Sequence, residues 1–189
     1  EGMFAMAKID NTDDNLGERN TIIEGEEMVY WPSEMDISAT RWGWFNSIAM
    51  RLFHTRKVDD FVGCYLRSVG NNATLLVNVG PNTKGELPQK YIKRMVAAKE
   101  KLQQMFKEKI EAKIEKVSDF EYQVTFPKTT ISKAILSEDL SHSQRVESFL
   151  LDVNGKEIYK SRTIGFKKIC IFEEVETDKI TLKITDSRC

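Results

Sequence analysis

The chain has 189 residues, with 28 Lys and Arg against 29 Asp and Glu, a formal net charge of −1, 41% apolar and 30% charged residues. This composition excludes a disordered tail, a Gly/Pro-rich fibrous chain and any run of about 20 uninterrupted apolar residues that would cross a membrane. A balance so near zero gives no basic footprint for phosphate backbones or anionic lipid, so neither nucleic acid nor membrane is expected as a partner.

Residues 1–27 are polar, with Asp10, Asn11, Asp13, Asp14, Asn15 and Gly17 clustered as in a long loop. Met28 to Trp31 form a short apolar run stopped by Pro32, read as a buried strand. From Val58 to Val69 the apolar residues recur at spacings of three and four, and Gly70 closes the pattern like a cap, which predicts a helix. Ala73 to Val79 is a continuous apolar run, predicted as a strand buried on both faces; helix followed by buried strand implies a parallel sheet. Pro88 opens a second helix with Tyr91, Ile92, Met95, Val96, Lys99, Leu102 and Phe106 on one face. The Lys-rich stretch Lys99 to Lys116 alternates with Glu and reads as a solvated helix face.

Beyond about Ile114 the period changes to alternation. Strands are expected at Phe120 to Phe126, near Ile131, at Phe149 to Val153, near Ile158, at Ile169 to Phe172 and at Ile180 to Ile184. Asn154-Gly155 is the signal of a type I′ hairpin. Two domains follow, an α/β segment over 1–112 and an all-β, sandwich-like segment over 113–189. Cys64, Cys170 and Cys189 have no paired spacing, so neither a zinc site nor a disulfide framework is indicated, and no metal or cofactor is expected. The start at Glu1 has no leader pattern and reads as a chain beginning mid-protein.

Dinucleotide, P-loop, zincin and α/β-hydrolase motifs are missing. His54 and His142 fall in different predicted domains and are read as structural or surface residues. What carries chemistry is Trp31-Pro32-Ser33-Glu34-Met35-Asp36-Ile37-Ser38, two carboxylates after a buried strand, followed by Arg41, Trp42, Gly43, Trp44 and Phe45. Ligand chemistry in α/β sheets sits at that end of the strands. Carboxylates for proton transfer beside flat aromatic faces suit a sugar; a capping Asp and a packed aromatic cluster would give the same residues.

The ordered blocks W-P-S-E-M-D-I-S, R-W-G-W-F and Y-L-R-S-V-G-N-N-A-T-L-L-V-N-V-G-P-N-T-K-G-E-L resemble the C-terminal part of the catalytic domain of alpha-L-fucosidases, glycoside hydrolase family 29. Ser143 to Phe149 and Arg162 to Ile169 are similar to segments of that family's C-terminal β-sandwich. The resemblance implies the C-terminal portion of a (β/α)8-type barrel followed by a jelly-roll-like β-sandwich that is truncated at Cys189. It implies retaining hydrolysis of terminal alpha-L-fucose from a fucosylated oligosaccharide or glycoconjugate. It maps the general acid/base onto Glu34. Trp44 and Phe45 become candidate packing surfaces for the sugar, and Asp36 a residue that orders the loop beside it. Arg41 becomes an aglycone contact or an ion-pair partner of Glu34 or Asp36, and Asn78 part of the site's framework. The family's nucleophile and first barrel strands have no counterpart here; Asp10, Asp13 and Asp14 follow no buried strand. The missing N-terminal part of its own barrel is then a partner of this chain, which alone would be inactive. The competing reading is a non-catalytic carbohydrate-binding protein. Asn72-Ala73-Thr74 is a glycosylation sequon whose Asn lies in the family's strand-start motif and is read as structural. The family's habit implies a secreted, periplasmic or lysosomal location.

Overall fold

The computed structural model describes residues 33–187, except 46, 49–51, 53 and 143. The polar run before residue 28, the strand expected at Met28 to Trp31, Ser143 and Cys189 lie outside the described residues. The described residues divide into two compact units: Glu34–Val69 with Ala73–Lys109, and residues 110–187 with Gly70–Asn72 and Ser33.

In the α/β unit, β1 (Ser33–Ser38) is followed by α1 (Val58–Ser68), β2 (Ala73–Asn78) and α2 (Gln89–Met105). The Ala39 N–H donates to the Asn78 carbonyl at 2.8 Å. This joins the C-terminal ends of the two paired strands, so they run parallel with α1 as the crossover. The α1 cap lacks Ser, Thr or Asn; instead the Asp60 carboxylate accepts the Lys57 N–H at 2.8 Å, and Asp59 and Asp60 complement the helix dipole. Pro88 precedes α2, where its missing N–H costs nothing. Ile37, Ala39, Phe61, Val62, Cys64, Tyr91 and Ala98 form the buried core, with Met35, Leu75, Val77, Met95 and Leu102 packed against it. Full burial of a large apolar side chain such as Ile37, Phe61 or Val62 contributes on the order of 1.5–3 kcal/mol.

Three expectations change here. Glu34 and Asp36 sit within strand β1, not in a loop after a strand. Strand β2 is covered on one face only: Leu75 and Val77 face the helices while Thr74 and Leu76 are exposed. The helix expected to continue through the Lys-rich stretch stops at Met105. Two strands make up this unit's sheet among the described residues, which is short of a barrel.

The second unit is one five-stranded antiparallel sheet in the order β3-β4-β7-β5-β6, made of β3 (Lys113–Ser118), β4 (Glu121–Leu136), β5 (Val146–Val153), β6 (Lys156–Ser161) and β7 (Lys168–Ser187). One row of partners, Lys116, Tyr122, Leu182, Leu151 and Tyr159, runs across all five strands. The separate strands expected near Phe120 and Ile131 are one long β4, and those near Ile169 and Ile180 one long β7. The β4–β7 register shifts between Thr125 and Thr129, where Pro127 has no N–H for the ladder, and again between Ile131 and Lys133. A flat sheet would leave one face bare. Here Ile131, Phe149, Leu151, Cys170 and Ile180, from three strands, share one buried core, and β6 adds Ile158 and Tyr159 to it. Asn154 (φ 54°) and Gly155 (φ 85°) both take the left-handed conformation of the expected I′ turn.

Gly70–Asn72 belongs to this β unit. Asn72, itself left-handed at φ 65°, donates from Nδ2 to the Ile164 carbonyl at 2.9 Å and accepts the Lys167 N–H at 2.7 Å. The buried Lys168 donates to Asn71 Oδ1 at 2.8 Å, and the Ile169 N–H to the Gly70 carbonyl at 2.8 Å. The Glu138 carboxylate gathers the N–H groups of Arg145, Val146 and Gly165. The sequon's amide is thus taken up in the fold, as the structural reading of Asn72 expects.

Candidate active site

Alternation along β1 sorts its residues. Met35 and Ile37 point into the helix-covered core, and Glu34 and Asp36 lie on the opposite, exposed face. Two residues apart on one face, their Cα atoms are about 7 Å apart. Glu34 is four residues before the end of β1, which places it ~13 Å along the strand from Ser38.

Between β1 and α1 the chain makes an excursion whose stem is pinned at many points. Thr40 and Thr55 form an antiparallel bridge, and the Arg41 N–H donates to the His54 carbonyl at 2.6 Å. Arg56 Nε reaches the Ser38 carbonyl at 2.7 Å, while Arg94 from α2 donates to the carbonyls of Thr55 and Arg56 at 2.9 and 2.5 Å. The buried Thr40 hydroxyl lies 2.9 Å from the carbonyls of both Trp42 and Gly43, which turns the chain at the aromatic run.

That run faces solvent. Trp42, Trp44 and Phe45 are 64%, 49% and 88% exposed, so they are not core packing within this unit. Trp42 meets the His54 ring edge-on at a centroid distance of 6.4 Å, giving His54 a packing role. Asn78, at the end of β2, donates from Nδ2 to the Trp44 carbonyl at 2.7 Å and so couples the strand end to the aromatic loop.

Arg41 pairs with neither Glu34 nor Asp36. Its guanidinium holds both oxygens of Asp60 at 3.2 and 3.0 Å. The Lys57 N–H, and then Arg41, hold the Asp60 carboxyl below its ordinary range against the opposing effect of burial. Sequence reasoning missed Asp60, Thr40, Arg56 and Arg94. Only Asp60 left a signal, as an acid in the first turn of a helix whose cap residue is a lysine. Among the described residues no group of three His, Cys, Asp or Glu side chains could hold a metal ion.

No family model and no curated protein matches the chain. Solved structures do. The chain is similar to a protein from Bacteroides ovatus ATCC 8483 provisionally assigned as an alpha-L-fucosidase, at 28% identity and a TM-score of 0.76, over 92% of this chain and 31% of that one. It is similar to a glycoside hydrolase family 29 member from an unknown rumen bacterium, at 26% identity and a TM-score of 0.73, over 84% of this chain and 31% of that one. In fold it also matches a Ruminococcus gnavus family 29 fucosidase solved with fucose, at 21% identity and a TM-score of 0.68, over 83% and 39% of the two chains. The chain therefore spans 31–39% of the length of these structures. In motifs and in three dimensions it is similar to part of the alpha-L-fucosidases of glycoside hydrolase family 29.

Proposed function

Starting from that likeness, we propose that this chain supplies the C-terminal part of a (β/α)8-type barrel and the following β-sandwich of a retaining alpha-L-fucosidase, which releases terminal alpha-L-fucose from fucosylated glycans. The observation that carries the reading is the face of β1 turned away from the helices, which bears Glu34 and Asp36. In a barrel with its helices outside, that face looks inward, and the loops after the strands surround the substrate.

Glu34 is the general acid/base: it protonates the glycosidic oxygen as the bond to the anomeric carbon breaks, then takes a proton from the water that completes hydrolysis. The nucleophile comes from the upstream part of the parent protein and stands about 5–5.5 Å from the acid/base carboxyl, the separation retention requires. Without it the 189-residue chain is inactive. Trp44 and Phe45 offer apolar faces to the C–H side of fucose and to its methyl group. Asp36 shapes the polar surroundings of Glu34 on the same face. Arg41, paired with Asp60 rather than with Glu34 or Asp36, fixes the aromatic loop to α1, and its half-exposed guanidinium keeps the aglycone contact as its role. A secreted, periplasmic or lysosomal location accompanies the same reading.

The test is Glu34→Gln in the complete parent protein. Its rate on poorly activated fucosides falls about 10²- to 10⁴-fold, and on an aryl fucoside with a good leaving group, where the second step limits, azide restores part of the rate. An unchanged rate removes Glu34 from the mechanism, and the same loss in Asp36→Asn alone transfers the role to Asp36. Glycan binding without hydrolysis by the complete parent would assign a carbohydrate-binding protein instead.

A further inference from the structure

The turn Asn154-Gly155, which closes β5 on β6, is exposed and sets a side-chain carboxamide next to a backbone nitrogen that no Cβ crowds. We propose that this turn is a masked self-modification site: Asn154 cyclises onto the Gly155 nitrogen when the hairpin opens, and the Asp152 carboxylate keeps it silent while the hairpin is closed. The site belongs to the β unit and stands whether or not the parent is a fucosidase.

The chemistry needs only these two residues and water. The Gly155 nitrogen, its proton lost to solvent base, attacks Asn154 Cγ, and the new C–N bond closes a five-membered imide. The bond from Cγ to the carboxamide nitrogen breaks, and that nitrogen takes up a proton and leaves as ammonia. Water then adds to one of the two imide carbonyls, whose bond to the ring nitrogen breaks. Opening at the side-chain carbonyl leaves aspartate; opening at the main-chain carbonyl leaves isoaspartate, whose main chain is one methylene longer. Nothing stands within 4 Å of the place where a Gly155 Cβ would be, so the ring has room to form.

The closed turn holds this reaction back in two ways. The Gly155 N–H donates to Asp152 Oδ1 at 2.8 Å. Taking that proton away would set an amide anion against a carboxylate, and the lone pair so formed would point at Asp152 instead of at Asn154 Cγ. The carboxylate is fixed in place, since Asp152 is buried and its Oδ2 lies 3.8 Å from Lys183 Nζ on the adjoining β7. The backbone is the second restraint. In a type I′ turn the first central residue has ψ near ~30°, which puts the following nitrogen nearly opposite its Cβ. Closing the ring brings the two to the same side, a rotation about the Asn154 Cα–C bond of more than about 90° from the I′ geometry. The pairing of Val153 with Lys156 directly across the turn blocks that rotation.

The hairpin is also the part of the sheet with least to lose by opening. Strand β6 stands at the edge of the order β3-β4-β7-β5-β6 and pairs with β5 alone. The rate of modification then follows the fraction of molecules with this hairpin open. An isoaspartate at 154 spoils the two-residue spacing that the pairs Val153–Lys156 and Asp152–Glu157 require, so each molecule that has opened and reacted is marked for good.

The experiment incubates the full chain in mildly alkaline heavy-oxygen water, beside a peptide of residues 150–159, and follows Asn154 by peptide mapping and mass spectrometry. Loss of Asn154 is expected to be at least about tenfold slower in the chain than in the peptide, with labelled aspartate and isoaspartate as products. In Asp152→Ala the loss speeds up about tenfold, and Asp152→Asn, which keeps an acceptor without the charge, falls between. Hydrogen exchange of the β5 and β6 amides in the same samples separates a released Gly155 nitrogen from a melted hairpin. If Asp152→Ala melts the hairpin, the isosteric Asp152→Asn decides: faster loss with those amides still protected upholds the mask. Equal rates in chain and peptide overturn it, and so does an unchanged rate in Asp152→Asn together with an unchanged or merely melted Asp152→Ala.

Discussion

Replacing Gly165 with alanine tests the clasp that Asn72 makes on the β unit. Gly165 is left-handed at φ 56°, where a Cβ costs roughly 1–2 kcal/mol. The new Cβ would also stand 2.6, 2.7 and 2.8 Å from Nδ2, Oδ1 and Cγ of Asn72, so that side chain must leave. With it go the bonds to Ile164 and Lys167, each worth about 1 kcal/mol net, giving about 3–4 kcal/mol in all. Asn72→Gly keeps the left-handed backbone, loses only the two bonds and costs about 2 kcal/mol. In the double variant the clash is gone, so its cost is about 3–4 kcal/mol rather than the sum of about 5–6, a coupling of about 2 kcal/mol. Gly155→Ala serves as control: its φ is 85° but nothing lies within 4 Å of a Cβ there, so it pays about 1–2 kcal/mol for the backbone alone. Urea unfolding followed by far-UV circular dichroism reads all four costs. Additive costs within ~0.5 kcal/mol, or equal costs for the two alanine variants, would refute the clasp as the reason for glycine at 165.

Glu138→Ala leaves three backbone N–H groups without their charged acceptor and should cost about 3 kcal/mol by the same melts; a loss under 1 kcal/mol would show that water replaces it. Asp60 titrates below its ordinary range when folded, so its contribution is full above about pH 4, the unfolded value, and is lost as pH falls through the lower folded value. Asp60→Asn should therefore flatten the acid limb of a stability–pH curve, and Arg41→Gln, which removes a half-exposed partner, should cost under ~1 kcal/mol. Asn78→Ala releases the Trp44 carbonyl and should lower kcat/KM of the parent on fucosides about tenfold with a stability loss of about 1 kcal/mol; unchanged kinetics would separate Asn78 from the site.

The helices were legible because burial wrote a three-and-four rhythm into Phe61, Val62 and Tyr65 and into Tyr91, Met95 and Leu102, and Pro88 marked where α2 begins. Asn154-Gly155 was legible because few sequences accept two left-handed residues in a row. Strand β3 was not: all six residues are exposed, so no burial imprints alternation on Lys113–Ser118. Ser33–Ser38 does alternate, yet a motif rich in polar residues after Pro32 reads as a loop unless the period is counted. The pairing of Arg41 with Asp60 and the grip of Asn72 on Ile164 join residues 19 and 92 positions apart, and no local pattern encodes such partners. For the aromatic run the composition left a sugar site and a packed cluster both open, and it is the exposure of Trp42, Trp44 and Phe45 that removes packing within this unit.

The position of β7 also bears on how the molecule is made. It is the last of the described strands in sequence and the central one in its sheet, with β4 on one side and β5 on the other. During synthesis the β3–β4 and β5–β6 hairpins emerge first, and neither pairs with the other until residues 168–187 have left the ribosome. For that interval two ribbons with open edges and apolar faces coexist, the stage at which a nascent chain pairs wrongly with its neighbours. A holdase chaperone acting on this protein should therefore engage chains arrested before Lys168 and release those extended beyond Ser187.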